Sequence, residues 1–395
     1  MMHKLTIVGL CAALCMATAL AQSSAQINTT ATSDTTSGPS AWVYVSNQIG
    51  TTSSTEVHAW TAGPDGKLTP ITGSPFTYNI SALALNGKYL FGSTPAGMID
   101  AYRIQSNGAI TYAASSNTSA PAGGCNSAPA YIFLDHTGSS LYDFYPYGNP
   151  YCSNNQYQAW NVVKSSGALT YLDQVGDGTF PWRNFSFIGN NVYGYTASCY
   201  QLTNLDIYRF KRNSDGSITQ LSTSHLLPKA PSGDTWCPGL AAADPTNHLA
   251  IPAELIDQNG NLSPPWRLAT YTVNTSTGAL STASTYANMP KVLVGDISQL
   301  SMSPSGKLLA VAGQNGLQVF HFNGANPITP YTGLISSVSI NDIRWDENNH
   351  LYAISQHANR LAVFTVTPTS WKWVASYSVN NPHGITVQPL PLPWQ

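Results

Sequence analysis

Four residues in this chain have the types that open a cyclic ester, and each stands in a different short phrase: Arg183 in FPWRNF, Glu254 in IPAEL, Arg344 in NDIRWD and His383 in NPHGITV. Hydrolysis of such a ring needs a base to take a proton from water and a cation or N–H pair to hold the developing oxyanion. Glu254 or His383 can serve as the base, and Arg183 or Arg344 as the oxyanion partner. Trp182 and Trp236 carry flat rings that can stack on a sugar, and Asp296, Gln299, Asp342 and His357 offer polar groups to a ligand. The chain holds no G-x-S-x-G, H-E-x-x-H or P-loop, so serine-hydrolase, zincin and nucleotide readings have no motif. The DQNGN stretch at 257–261 has oxygen donors at alternate positions but lacks the Gly and terminal Glu of a calcium loop. No metal and no cofactor is expected.

Candidates spread from Trp182 to His383 need an architecture that gathers them. A small turn before an apolar run recurs in ALNGKYLFGS, LDHTGSSLYDFY, FIGNNVYGYT, ADPTNHLAIPA, MSPSGKLLAVAG and RWDENNHLYAIS. With Gly87, Gly138, Asn190, Asn247, Gly306 and Asn349 as markers, the steps are 51, 52, 57, 59 and 43 residues. After each comes an alternating strand such as NLDIYRFK or RLAVFTV, and behind a further turn another such as GSITQL. Helical periodicity is absent. Four-strand units at this spacing indicate propeller blades, each covering the apolar face of the next.

The two ends supply a seventh blade. AWVYVSN, EVHAWTA and KLTPITG match second, third and fourth strands, and HGITVQP reads as the missing first strand. Joined, they close the ring and remove its free edges. The predicted fold is therefore all-β, a seven-bladed β-propeller of four-stranded antiparallel blades over 41–395. In such a ring the loops entering first strands and those between second and third strands share one face, around the channel mouth. The candidate residues all map there.

Composition sets the wider bounds. Hydrophobic residues make up 43% of the chain, enough for a sizeable core, but charged residues only 9%, against about 25% in ordinary soluble domains. Lys plus Arg number 16 against 18 Asp plus Glu, which speaks for neither a nucleic-acid nor an anionic-membrane partner. Lys4, the apolar run from Leu5 to Leu20 and the Ala19-Leu20-Ala21 pattern read as a signal peptide over 1–21. Residues 22–40, rich in Ser and Thr, read as a flexible linker. The mature protein is expected to be secreted or periplasmic, free of the membrane, and a monomer, because a closed ring needs no partner to fold. Four cysteines remain beyond the signal: Cys125, Cys152, Cys199 and Cys237. An even number in an exported chain indicates disulfides. Three pairings are possible; the loop map puts all four on the mouth face and predicts Cys125–Cys152 within a blade and Cys199–Cys237 between neighbours.

Several phrases (AWVYVSN, AGPDGKLTPITGSPF, SPSGKLLAVAG and STGAL) resemble the seven-bladed propellers of the 6-phosphogluconolactonase and carboxymuconate-cyclase family, over nearly all of 41–390. The resemblance implies opening or closing of lactone rings by Arg, His and Glu near one channel mouth. Within CPGLAAADPTNHLAIPAEL, Glu254 and Leu255 match the family's Asn-Glu-Leu end, one residue short in spacing. Gly239 and Leu240 stand where its Arg and His are expected, and His383 takes the Arg place of its final Pro-Arg-Gly strand. Arg183 lies near a strand entrance but outside a clear family motif. SAPAYIFLDHTG lacks the family's early His, and its His136 falls in the next turn, towards the other rim. Two functions follow. One is an exported hydrolase of a sugar lactone or related cyclic ester; the other is a non-catalytic secreted propeller that binds a glycan, peptide or protein partner through the same face. A phosphorylated sugar lactone fits poorly, because the mouth holds few positive charges.

Overall fold

The recurring turns take the backbone that their residues favour. Gly87, Gly138, Gly306 and Asn349, four of the six repeat markers, have φ of 82°, 64°, 67° and 64°, the left-handed region open to Gly and tolerated by Asn. Each such turn sends an apolar run back along the strand before it. The computed structural model describes residues 38–47, 55–119, 129, 131–145, 156–176, 185–200, 204–231 and 233–390. Among them there is no helix.

Seven antiparallel sheets form a seven-bladed propeller. Blade 1 closes the ring as expected: Pro382–Pro389 pairs with Ala41–Asn47, Tyr44 opposite Thr386, and Val57–Ala62 and Leu68–Pro70 complete it. The first strands of blades 2 to 7 are Leu83–Leu85, Tyr131–Leu134, Ser186–Phe187, Thr235–Pro238 with Ala242–Ala243, Ile297–Met302 and Asp342–Trp345. Blade 5 has its first strand in two pieces, both paired to His248–Ile256.

Strand alternation distributes the core between blades. In blade 6, Leu308, Ala310 and Ala312 meet Ile343, Leu351 and Phe364 of blade 7, while Leu309 and Val311 face Ala250 and Leu268 of blade 5. Between blades 3 and 4 the core is almost wholly aromatic, with Tyr142, Phe144 and Tyr157 against Phe185, Phe187 and Phe210.

Tyrosine hydroxyls add a directional latch. Tyr44, Tyr142 and Tyr195, all on second strands, donate to the carbonyls of Gly108, Gly216 and Gly278 in the third-to-fourth turn of the next blade, each at 2.8 Å. Loss of one hydroxyl leaves a buried carbonyl unpaired, which costs about 1–3 kcal/mol. Tyr44→Phe, at the carbonyl of Gly108, is expected to lower the urea midpoint accordingly, whereas Tyr112→Phe, 59% exposed, leaves it unchanged. Equal midpoints for the two variants would show that the latch carries no stability.

Candidate functional site at the channel mouth

Glu254 lies near the end of the second strand of blade 5, opposite Cys237 on the first strand. The register with the third strand, Leu262–Val273, shifts between Ala253 and Leu255, so Glu254 stands at a bulge, a feature that re-aims a side chain. It is 5% exposed, and its carboxylate makes no hydrogen bond to a described residue. Burial raises its pKa, and the like charge of Asp296, at the entry of blade 6, raises it further. A carboxylate left unpaired and destabilised in its ionised form is a ready proton acceptor.

From Asp296 the polar groups continue as an arc over blades 6, 7 and 1. Gln299 donates to Asp342 Oδ1 at 3.2 Å, and Arg344 Nη1 reaches the same oxygen at 2.6 Å and the Ile343 carbonyl at 2.8 Å. Gln356, after the second strand of blade 7, places Nε2 3.3 Å from His383 Nδ1 at the start of the first strand of blade 1. Asn341 fixes that glutamine by accepting its main-chain N–H at 2.7 Å. Burial lowers the His383 pKa and Asp342 offsets part of that effect. The imidazole is therefore neutral at pH 7. With Nδ1 accepting from the Gln356 amide, the proton sits on Nε2.

The structure thus brings together Glu254 with Asp296, and Gln299, Asp342, Arg344 and His383. His357 is exposed in the next turn and bonds to none of them. Trp236 is 1% exposed and packed with Tyr195, Ile251 and Tyr271 between blades 4 and 5, so it has no ring face to give a ligand. The expected stacking role fails there because the residue's side chain falls on the inter-blade side of the strand. Trp182 and Arg183 lie outside the described residues. Asn341 and Gln356 were not among the candidates, although the rule that selected His357 passes one residue from Gln356.

Cys199 and Cys237 form a disulfide with Cα atoms 5.0 Å apart, tying blade 4 to blade 5. The predicted pairing holds, but both residues lie within strands rather than in loops. The ladders run through them, Cys199 opposite Leu205 and Cys237 opposite Glu254. Cys125 and Cys152 lie outside the described residues. The bridge spans a sequence separation of 38, and removing such a link typically costs about 2–4 kcal/mol. Cys199→Ala with Cys237→Ala is expected to lose stability of that order. Non-reducing peptide mapping that joined Cys199 to any other cysteine would refute the pairing.

No family model and no curated protein matches this chain. Solved structures do. One, from Bacteroides uniformis and described as a candidate 6-phosphogluconolactonase, superposes with a TM-score of 0.61 at 13% identity, covering 89% of this chain and 100% of that one. Another is a periplasmic gluconolactonase of Pseudomonas aeruginosa, with a TM-score of 0.45, 15% identity and coverage of 89% and 99%. The first likeness establishes a shared fold, that of a seven-bladed propeller. Chemistry must be argued from the mouth itself, because one fold hosts many activities.

Proposed function

We propose that this chain is an exported propeller that hydrolyses a neutral sugar lactone or related cyclic ester at its channel mouth. The observation that carries the reading is Glu254: a buried carboxylate with no hydrogen-bond partner among the described residues, held beside Asp296. Glu254 takes a proton from water, and the water oxygen attacks the ring carbonyl carbon. His383 Nε2–H donates to the oxyanion that forms. As the intermediate collapses the ring C–O bond breaks, and Glu254 returns its proton to the departing alkoxide. The product is an open hydroxy acid, which ionises and releases a proton to solvent. Arg344 holds Asp342 beside His383 through its Nη1. Among the described residues, three carboxylates (Glu254, Asp296 and Asp342) stand against the Arg344 guanidinium, which disfavours a phosphorylated substrate. The signal-like leader and the Cys199–Cys237 bridge support export.

Acid release followed with a pH indicator, on a panel of sugar and aliphatic lactones, tests the proposal. Release well above the spontaneous rate is expected with at least one neutral sugar lactone. A flat response across the panel would sink the hydrolase and favour the non-catalytic binding propeller, for which Gly239 and Leu240 in the family's Arg-His places already speak.

A further inference from the structure

The first strand of blade 5 is broken, and the cause lies in the strand beside it. Pro252 stands within His248–Ile256 and has no N–H. Its carbonyl accepts the Gly239 N–H at 2.9 Å, so the missing donor faces the first strand. Across this point the pairing changes offset: Pro238 is opposite Ala253, whereas Ala242 is opposite Ala250. The first-strand side therefore carries one residue more. Leu240 absorbs it with φ of 56°, a left-handed conformation otherwise held, among the described non-glycines, only by asparagines. Such a bulge breaks the ladder locally. Neither the Leu240 nor the Ala241 N–H donates to a described residue. Consecutive N–H groups at a left-handed residue form the concavities in which backbone binds anions.

What faces this bulge is a cavity of about 310 Å³ in the channel. Leu240 and Ala241 line it, together with Arg344, Gln299, His136 and Phe133, and among the described residues no Asp or Glu does. The Leu240 side chain is taken up by the core between blades 5 and 6, and that of Ala241 packs against the core between blades 4 and 5. The main chain is thus what the bulge turns to the cavity. Two main-chain donors without a partner among the described residues, one guanidinium and the partly buried ring of Phe133 converge on a single space.

We propose that this cavity binds a small monocarboxylate with an apolar or aromatic body. The carboxylate accepts from the Leu240 and Ala241 N–H groups, Arg344 supplies the opposing charge through the guanidinium nitrogens that Asp342 does not engage, and the body lies against Phe133. The site shares Arg344 and Gln299 with the arc at the mouth, but the carboxylate contacts at Leu240 and Ala241 do not depend on any hydrolysis.

The test follows the amide signals of the full mature chain, labelled with ¹⁵N, during titration with sodium benzoate. Benzamide and sodium chloride serve as controls. Saturable shifts at Leu240 and Ala241 are expected with benzoate, with affinity at least about tenfold weaker for benzamide, as loss of a charge-assisted contact implies. Arg344→Gln should weaken benzoate to a similar degree. Because that change also frees Asp342, an amide-to-ester replacement at Ala241, which removes one donor and keeps the side chain, must weaken benzoate too. Unmoved amides, equal binding of benzamide and benzoate, or indifference to both changes would overturn the carboxylate site. The readout is binding, so it is blind to whether any lactone is turned over.

Discussion

Glu254→Gln is expected to cut lactone hydrolysis by roughly 10²- to 10⁴-fold, the usual contribution of a positioned base, while leaving the fold intact. The fold should survive because the carboxylate has no hydrogen bond to lose among the described residues and the amide occupies the same space. The pH dependence distinguishes this base from the alternative. Glu254 must be ionised to act, so activity should fall as pH drops through its raised pKa. Asp296→Asn removes the like charge, lowers that pKa, and should move the acid limb of the rate profile to lower pH. His383 as the base would respond elsewhere: Glu254→Gln would leave the acid limb in place. Asp342→Asn would then lower the limb, since Asp342 is the charge that supports protonation of the imidazole. Rate profiles of the wild type and these three variants therefore decide between the two. An acid limb that ignores both Asp296 and Asp342 would exclude both assignments.

The ring was legible because every blade restates its own punctuation. A Gly or Asn at each turn and an apolar run behind it recur whatever the intervening loop does, and HGITVQP at one end had no partner except AWVYVSN at the other. The mouth was legible only as a neighbourhood. Assigning a loop to one face does not say which way a side chain points along a strand, where direction reverses at each residue. Trp236 illustrates the loss: it maps to the correct rim, yet alternation turns its ring into the core between blades. Gln356 and His357 illustrate the reverse, since the histidine drew attention while its neighbour makes the bond to His383. Pro252 was the signal that went unread. A proline inside an apolar strand run cannot serve a central ladder, and this one accepts the Gly239 N–H with its carbonyl where the first strand breaks.

Asp143 offers the second large effect, in stability rather than chemistry. It lies on the second strand of blade 3, Ser140–Tyr145, opposite Ile132 and Gln158, with 0% exposure. Neither carboxyl oxygen has a hydrogen-bond partner among the described residues. Burial pushes its pKa well above the carboxylate range; the Trp160 indole, the Gln158 main-chain N–H and the Thr118 hydroxyl lean towards it and temper the shift without reaching hydrogen-bond geometry. No cation among the described residues faces it, and the nearby Tyr145 hydroxyl is engaged with Thr118 at 2.8 Å. The folded chain thus keeps Asp143 protonated under conditions in which the unfolded chain ionises it. For a folded-state pKa above the unfolded one, stability is fully present below about pH 3.9 and is lost as pH rises towards the folded value. The loss from this one group approaches about 1.4 kcal/mol for each pH unit in that window. Asp143→Asn cannot ionise in either state and should escape it. Whatever fixed cost the amide brings, the stability of the variant relative to wild type should climb with pH above about 4 at close to that slope. Urea unfolding of both proteins at half-unit steps from pH 4 to 8 measures the difference directly. Parallel curves would mean that Asp143 is ionised in the folded protein, and that a counter-charge outside the described residues holds it there.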